Sequence, residues 1–132
     1  MENTTFTWLP KKQPIVALST CEAKYVATSW SVRHAVWLRN LLSKLEILQG
    51  ENVLIRVDNR STIKLTKNLI NHERSKHIEV RFHFIREKEK EGSVELEHVG
   101  SKEQIADIFT KPLPTTSFQE FRKLFGMREG KI

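Results

Sequence analysis

The sequence predicts a single α/β domain over residues 1–132, and three observations support this prediction. Two short strand patterns, at 53–57 and 93–99, lie between longer stretches in which apolar residues recur every three or four positions. A length of 132 residues suits one domain and is enough to bury a core. The apolar fraction of 39%, with three Trp and seven Phe, argues against a disordered chain. No apolar run approaches the roughly 20 residues that a membrane span needs.

A strand and a long helix are predicted in the first part of the chain. Residues 5–9 (TFTWL) are rich in β-branched and aromatic side chains, which is typical of a strand. The helix begins sharply, because Ser19 and Glu22 form a capping box ahead of apolar residues at helical spacing. We expect this helix to break near 29–33 and to end at Gly50.

The middle of the chain predicts two strands and two helices. Residues 53–57 (VLIRV) are mostly apolar on both faces, which is typical of a buried central strand in a parallel or mixed sheet. Residues 60–68 predict a short helix, and residues 76–91 predict a longer one that ends at Gly92. Residues 93–99 alternate between apolar and charged side chains, as a half-buried strand does.

Two further helices are predicted near the C-terminus from capping boxes. Ser101 and Gln104 form the first box, and Ser117 and Glu120 form the second. We expect the last helix to end at Gly126. The predicted order is β-α-(α)-β-α-α-β-α-α, where the bracketed helix is the second half of the first one, and this order is typical of an α/β domain.

Positive charge is concentrated in one part of the chain. The chain has 22 Lys and Arg against 16 Asp and Glu, a formal net charge of +6, and residues 56–90 carry +5 of it with ten basic and five acidic residues. Such a stretch is typical of a protein that binds a polyanion such as nucleic acid, although a solvated helix face has the same composition. The single cysteine, Cys21, excludes a disulfide framework and a cysteine-based zinc site.

Three carboxylates are predicted to lie at positions that regular structure fixes. Glu22 lies in the first turn of a helix, Asp58 follows a strand, and Asp107 lies in the first turns of a later helix. Carboxylates held in this way can bind ions such as Mg²⁺, and two such ions can hydrolyse a phosphodiester. Each also has an ordinary alternative role, in a capping box, in a turn or at a helix N-terminus. The chain has 14 Glu but only two Asp, and both Asp fall at these positions.

Four stretches of the sequence together carry a family pattern. They are residues 11–25 (KKQPIVALSTCEAKY), 57–61 (VDNRS), 75–87 (with SKHI and HFIRE) and 104–113 (QIADIFTKPL). In this order and spacing they closely resemble the ribonuclease H domain of copia-type LTR retrotransposon Pol polyproteins, over residues 8–127. The resemblance implies a ribonuclease H-like fold, a mixed sheet flanked by helices. It also implies hydrolysis of the RNA strand of an RNA–DNA hybrid with Mg²⁺ or Mn²⁺.

The resemblance also implies roles for the three carboxylates in a two-metal site. The family uses four acids in the order Asp, Glu, Asp and Asp, and the last three match Glu22, Asp58 and Asp107. Lys24 stands where the family usually has a second Glu. The first Asp and the first two strands of the family sheet have no match in this chain. The resemblance therefore implies an incomplete two-ion site and a sheet that lacks its first strands.

Two functions remain open at this point. In the first, the chain is a ribonuclease H domain that needs another segment to supply the missing strand and Asp. In the second, it is a non-catalytic remnant that binds nucleic acid, or that pairs with a second copy or another chain through the open edge of the strand at 53–57. We expect an intracellular protein without a membrane segment, in the cytoplasm, the nucleus or a virus-like particle. The expected nucleic-acid contacts are Arg60, Lys64, Lys67, Lys76, His77 and Lys111.

Overall fold

A computed structural model describes residues 7, 12–14, 16–17, 19–47, 50, 52–67 and 76–127. The chain divides into a larger compact unit, Gln13–Ser101, and a smaller unit formed by Met1–Lys12 and Lys102–Ile132. The strand predicted over 5–9 lies outside the described residues, apart from Thr7, which belongs to no regular element. The single-domain organisation stays a prediction.

The first element of the larger unit is helix α1, Thr20–Lys44. Its capping box is confirmed at the N-cap, where Ser19 Oγ accepts a hydrogen bond from the backbone N–H of Glu22 at 3.1 Å. This bond satisfies one of the donors that the first helical turn leaves without a partner. The N-terminal end of α1, and with it the position of Glu22, is therefore fixed by a local sequence signal.

Helix α1 is continuous, so the break predicted near 29–33 is wrong. The hydroxyl groups in this part of the helix do not interrupt it, because they donate to carbonyl groups of the preceding turn. Ser29 Oγ donates to the carbonyl oxygen of Val26 at 2.8 Å. The helix also ends before the predicted Gly50, because Glu46 takes a left-handed conformation with φ 59°.

Two parallel strands form the sheet of the described residues: β1, Val53–Val57, and β2, Val94–His98. Both strands are confirmed at their predicted positions. The prediction that β1 is buried on both faces is wrong, since Leu54 on one face is 47% exposed while Val57 is buried. Burial of β1 depends on which elements cover each face, and a five-residue composition does not encode that.

Helices α2, Arg60–Lys67, and α3, Lys76–Lys90, lie between the two strands in sequence and confirm their predictions. Gly92 follows α3 with φ 67°, a left-handed conformation that favours glycine. The core of the larger unit takes apolar side chains from α1, β1, α3 and β2. These side chains are Tyr25, Val26, Val32, Val57, Ile78, Phe82, Ile85, Val94 and Leu96.

The smaller unit contains a 3₁₀ helix, Ile105–Phe109, and helix α4, Thr115–Leu124. Neither predicted capping box forms here. Gln104 is itself the N-cap of the 3₁₀ helix, without a side-chain cap, and Pro114 is the N-cap of α4, so Ser117 lies inside that helix. Proline fixes φ and suits the start of a helix, which explains why α4 begins directly after it. No helix in the described part of the chain is long and apolar enough to cross a membrane.

Candidate acidic site and its basic surroundings

Asp58 directly follows β1 at the carboxyl end of the parallel sheet. The pairing of the strands continues to this point, because the N–H of Val99 donates to the carbonyl oxygen of Val57 at 3.0 Å. After Asp58, Asn59 Oδ1 accepts a hydrogen bond from the N–H of Ser61 at 2.8 Å. This side-chain turn begins α2. A strand end and a helix start therefore hold Asp58 at the edge of the sheet where α/β proteins bind ligands.

The Asp58 carboxylate forms an ion pair with Lys24. Lys24 Nζ donates to Asp58 Oδ2 at 2.9 Å, and the side chains are 44% and 15% exposed respectively. A charge-assisted hydrogen bond of this length is stronger than one between neutral groups. The pair connects the first turns of α1 to the end of β1.

Glu22 lies two positions before Lys24, in the first turn of α1, and it is buried. A carboxylate in the first turn of a helix is stabilised by the positive end of the helix dipole. The Lys24–Asp58 contact thus brings the helix turn that carries Glu22 next to the strand end that carries Asp58. Of the three predicted acids, these two belong to the same unit.

Asp107 lies in the 3₁₀ helix of the smaller unit and also forms an ion pair with a lysine. Lys111 Nζ donates to Asp107 Oδ2 at 2.9 Å, and the two side chains are 53% and 13% exposed. The backbone N–H of Lys111 donates to the carbonyl oxygen of Asp107 at 2.9 Å, which closes the turn. Lys111 was predicted to contact nucleic acid. It lies at the surface in a position that also neutralises the acid.

The predicted metal site stays a prediction. Among the described residues, no group of three or more His, Cys, Asp or Glu side chains is close enough to hold a metal ion. Carboxylate oxygens are nevertheless the donors that Mg²⁺ and Mn²⁺ take, so the donor types of Glu22, Asp58 and Asp107 fit such ions. In the structure the two Asp residues each give one of these oxygens to a lysine ammonium group.

The residues predicted to bind nucleic acid lie mainly on the two helices that follow β1. Arg60 and Lys64 are exposed on α2, directly after Asp58 in sequence. Lys67 lies in α2, and Lys76 and His77 begin α3, but their side chains lie outside the described part of the chain. The described basic side chains of α2 therefore lie on the helix that begins two positions after Asp58.

A second group of basic and aromatic side chains includes Arg81, which belongs to the basic stretch 56–90, and Arg33 of α1, which was not singled out from the sequence. We call it the basic-aromatic cluster, and it consists of Trp30, Arg33, Arg81 and Phe84 on α1 and α3. The Arg33 guanidinium lies 4.9 Å from the ring centre of Trp30 and 5.6 Å from that of Phe84. The Arg81 guanidinium lies 5.6 Å from the Trp30 ring and donates to Ser29 Oγ at 2.9 Å. Stacking on aromatic rings holds these cations in place.

A sequence signal for this cluster exists on α1. After Glu22 the helix contains Lys24, Arg33, Arg39 and Lys44 but no acid. Trp30 and Arg33 are three positions apart and so lie on one face. The excess of basic over acidic residues in this helix, which lies outside the stretch 56–90, indicates this surface.

The chain is similar in sequence to retrovirus-related Pol polyproteins of plant transposons. The Pol polyprotein from transposon TNT 1-94 of Nicotiana tabacum is 39% identical to it over 121 residues, which are 92% of this chain and 9% of the polyprotein. Those from transposons RE1 and RE2 of Arabidopsis thaliana are 36% and 35% identical, each over 92% of this chain and 8% of the polyprotein. The chain thus spans less than a tenth of the length of the relatives it matches.

The homologues confirm the retrotransposon Pol polyprotein part of the resemblance described above. No protein-family model matches the chain. No solved structure matches it. The described architecture is α/β, with helices and a parallel sheet.

Proposed function

We propose that this chain is a retrotransposon-derived ribonuclease H domain, which hydrolyses the RNA strand of an RNA–DNA hybrid. The observation that carries the proposal is the position of Asp58. It follows a parallel strand at the carboxyl edge of the sheet and contacts the helix turn that carries Glu22. Similarity to Pol polyproteins over 92% of the chain supports a function in the replication of a retroelement.

In this proposal Glu22, Asp58 and Asp107 hold Mg²⁺ or Mn²⁺. When bound, such ions activate a water molecule and stabilise the leaving oxygen of the phosphodiester. The chain itself positions the ligands: the cap at Ser19 fixes the turn with Glu22, and the turn at Asn59 fixes Asp58. A fourth acid, which the resemblance implies, comes from another segment or chain.

Basic side chains hold the backbone of the hybrid. Arg60 and Lys64 are exposed on the helix that follows Asp58, so they can bind phosphates close to the carboxylates. The 2′-hydroxyl groups of the RNA strand distinguish it from DNA. The affinity for the hybrid is expected to fall steeply with salt, because each neutralised phosphate releases counterions.

A second candidate function is a non-catalytic remnant that binds nucleic acid or a protein. Two observations favour it. The ammonium groups of Lys24 and Lys111 hold an oxygen of each Asp. In the described sheet β1 pairs with β2 alone, and Leu54 is 47% exposed. A second copy or another chain that adds a strand to β1 would complete the sheet.

Cleavage of a labelled RNA–DNA hybrid separates the two candidates. We expect the chain to cleave the RNA strand when it is supplied with Mg²⁺ or Mn²⁺ and with a segment that carries the missing strand and Asp. Asp58→Asn is expected to lower the rate by more than about 100-fold, since loss of mere supporting groups around metal ligands costs about 10–100-fold. Glu97→Gln is the matched control, because Glu97 is an exposed acid on β2 that pairs with Arg56. Equal cleavage by wild type and Asp58→Asn contradicts the site. Hybrid binding without any cleavage supports the remnant.

A further inference from the structure

The contact between Lys24 and Asp58 differs from the other exposed ion pairs of the larger unit. Arg56–Glu97 joins side chains that are 55% and 48% exposed, whereas the Asp58 side chain is only 15% exposed. The Asp58 side chain is thus mostly buried, whereas Lys24, its partner on α1, is more exposed. A partly buried carboxylate needs a compensating positive charge, and in this structure Lys24 provides it.

An ammonium group and a divalent metal ion compete for the same carboxylate. Mg²⁺ binds carboxylate oxygens at about 2.1 Å and needs near-octahedral geometry. Asp58 Oδ2 already accepts a charge-assisted hydrogen bond from Lys24 Nζ at 2.9 Å. A metal ion on this carboxylate must either displace the lysine or bind close to its positive charge.

We propose that Lys24 is an internal counter-cation of the acidic site, which competes with divalent metal ions for the Asp58 carboxylate. The inference rests on the proposed function, because the metal site in question is the one proposed there. Lys24 therefore sets the metal concentration at which that site fills. It is a positioning residue, since it acts through the Asp58 carboxylate that it holds.

The size of the effect follows from the distance between the charges. A single positive charge about 4 Å from a divalent ion weakens its binding by about tenfold or more, even with the dielectric constant of water. Lys24 is 44% exposed on a flexible side chain, so it can turn into solvent when metal is abundant. The site is expected to bind metal weakly, and to bind it more tightly once the ammonium group is removed.

Binding of Mn²⁺ to the full chain without nucleic acid tests this inference. The probe is Mn²⁺ alone, and the electron paramagnetic resonance signal of the free ion reports the bound fraction. We expect Lys24→Met to lower the Kd for Mn²⁺ by about tenfold or more. Lys24→Arg keeps the charge and is expected to bind as weakly as wild type. Asp58→Asn in the Lys24→Met background is expected to abolish the gain.

Lys88→Met is the matched control, because it removes a lysine from a Lys88–Glu91 ion pair of 2.8 Å in the same unit. An equal gain in this control would show a general effect of net charge and overturn the inference. Failure of Lys24→Met to bind Mn²⁺ more tightly than wild type overturns it as well. Lys24→Gln provides a second neutral variant, and thermal melting verifies that each variant is folded.

Failure of this inference and failure of the ribonuclease proposal give different results. If Lys24→Met gains Mn²⁺ affinity and no variant cleaves a hybrid even with a segment that supplies the fourth acid, the counter-cation stands and the ribonuclease proposal fails. If wild type cleaves in a manner that depends on Asp58 and Lys24→Met gains no affinity, the ribonuclease proposal stands and the counter-cation fails.

Discussion

Tyr25 buries a phenol in the core of the larger unit, and its hydroxyl group has no hydrogen-bond partner among the described residues. The residue is 2% exposed. A buried hydroxyl without a partner costs about 1–3 kcal/mol, because it has lost its hydrogen bonds to water. Tyr25→Phe keeps the ring in the core and removes this cost. We therefore expect Tyr25→Phe to raise the free energy of unfolding by about 1 kcal/mol.

The assay is equilibrium unfolding in urea at pH 7, supported by thermal melting. A gain of about 1 kcal/mol raises Tm by about 3–5 °C in a chain of this length. Tyr25→Leu is the contrasting variant, because it removes the ring and is expected to cost about 2 kcal/mol or more. A loss of stability in Tyr25→Phe would refute the reasoning, since it would mean that the hydroxyl group makes a stabilising bond.

The pH dependence gives a second readout of the same group. Burial raises the pKa of the Tyr25 phenol far above its ordinary value, with the positive charge of Arg81 acting in the opposite direction. The folded state therefore keeps this proton after the unfolded state has lost it. The associated stability is fully present below about pH 10 and is lost as the pH rises further. We expect unfolding free energy to fall more steeply above pH 10 in wild type than in Tyr25→Phe.

Two further predictions concern helix α1. Arg33 is an exposed basic side chain of the basic-aromatic cluster, and we expect it to contact one phosphate of an RNA–DNA hybrid. Arg33→Ala is therefore expected to weaken hybrid binding and to lower the slope of the salt dependence of log Kd by about one. Arg56→Ala, which removes an arginine paired with Glu97, is the control, and equal losses in filter binding would contradict a role for the cluster. Ser19→Ala removes the N-cap and is expected to cost about 1 kcal/mol in thermal or urea unfolding. Ser31→Ala, exposed within the helix, should change stability by less than about 0.5 kcal/mol, and similar effects of both substitutions would argue against the cap.

Sequence signals predicted those parts of the fold that short-range interactions determine. The start of α1 follows from Ser19 and Glu22, three positions apart, and the alternation of β2 follows from its own five residues. The same capping pattern failed at Ser117, because Pro114 starts α4 earlier. A capping motif is thus one of several local signals for a helix start. In α4 the fixed backbone of Pro114 determines the start, and the motif at Ser117 does not.

Sequence patterns do not predict contacts between residues that are far apart in the chain. The location of Asp58 after a strand was predictable, and the structure confirms it. Its partner Lys24 lies 34 positions away in the chain, and their contact depends on how α1 packs against β1. The exposure of Leu54 has the same origin. Whether the face of a strand is covered is decided by elements that its own residues do not specify.

The parallel pairing of β1 and β2 has a consequence for the order in which the protein folds. Opposite residues of the two strands, such as Arg56 and Glu97, are 41 positions apart, so no tight hairpin can bring the strands together. Closing so large a loop costs entropy before any strand contact compensates for it, which slows folding. The strand β2 follows β1, α2 and α3 in the sequence, so the ribosome synthesises it after them. Asp58 is therefore synthesised before the strand that pairs with β1 is present. The carboxyl edge of the two-stranded sheet, where Asp58 lies, therefore cannot form before β2 has been synthesised.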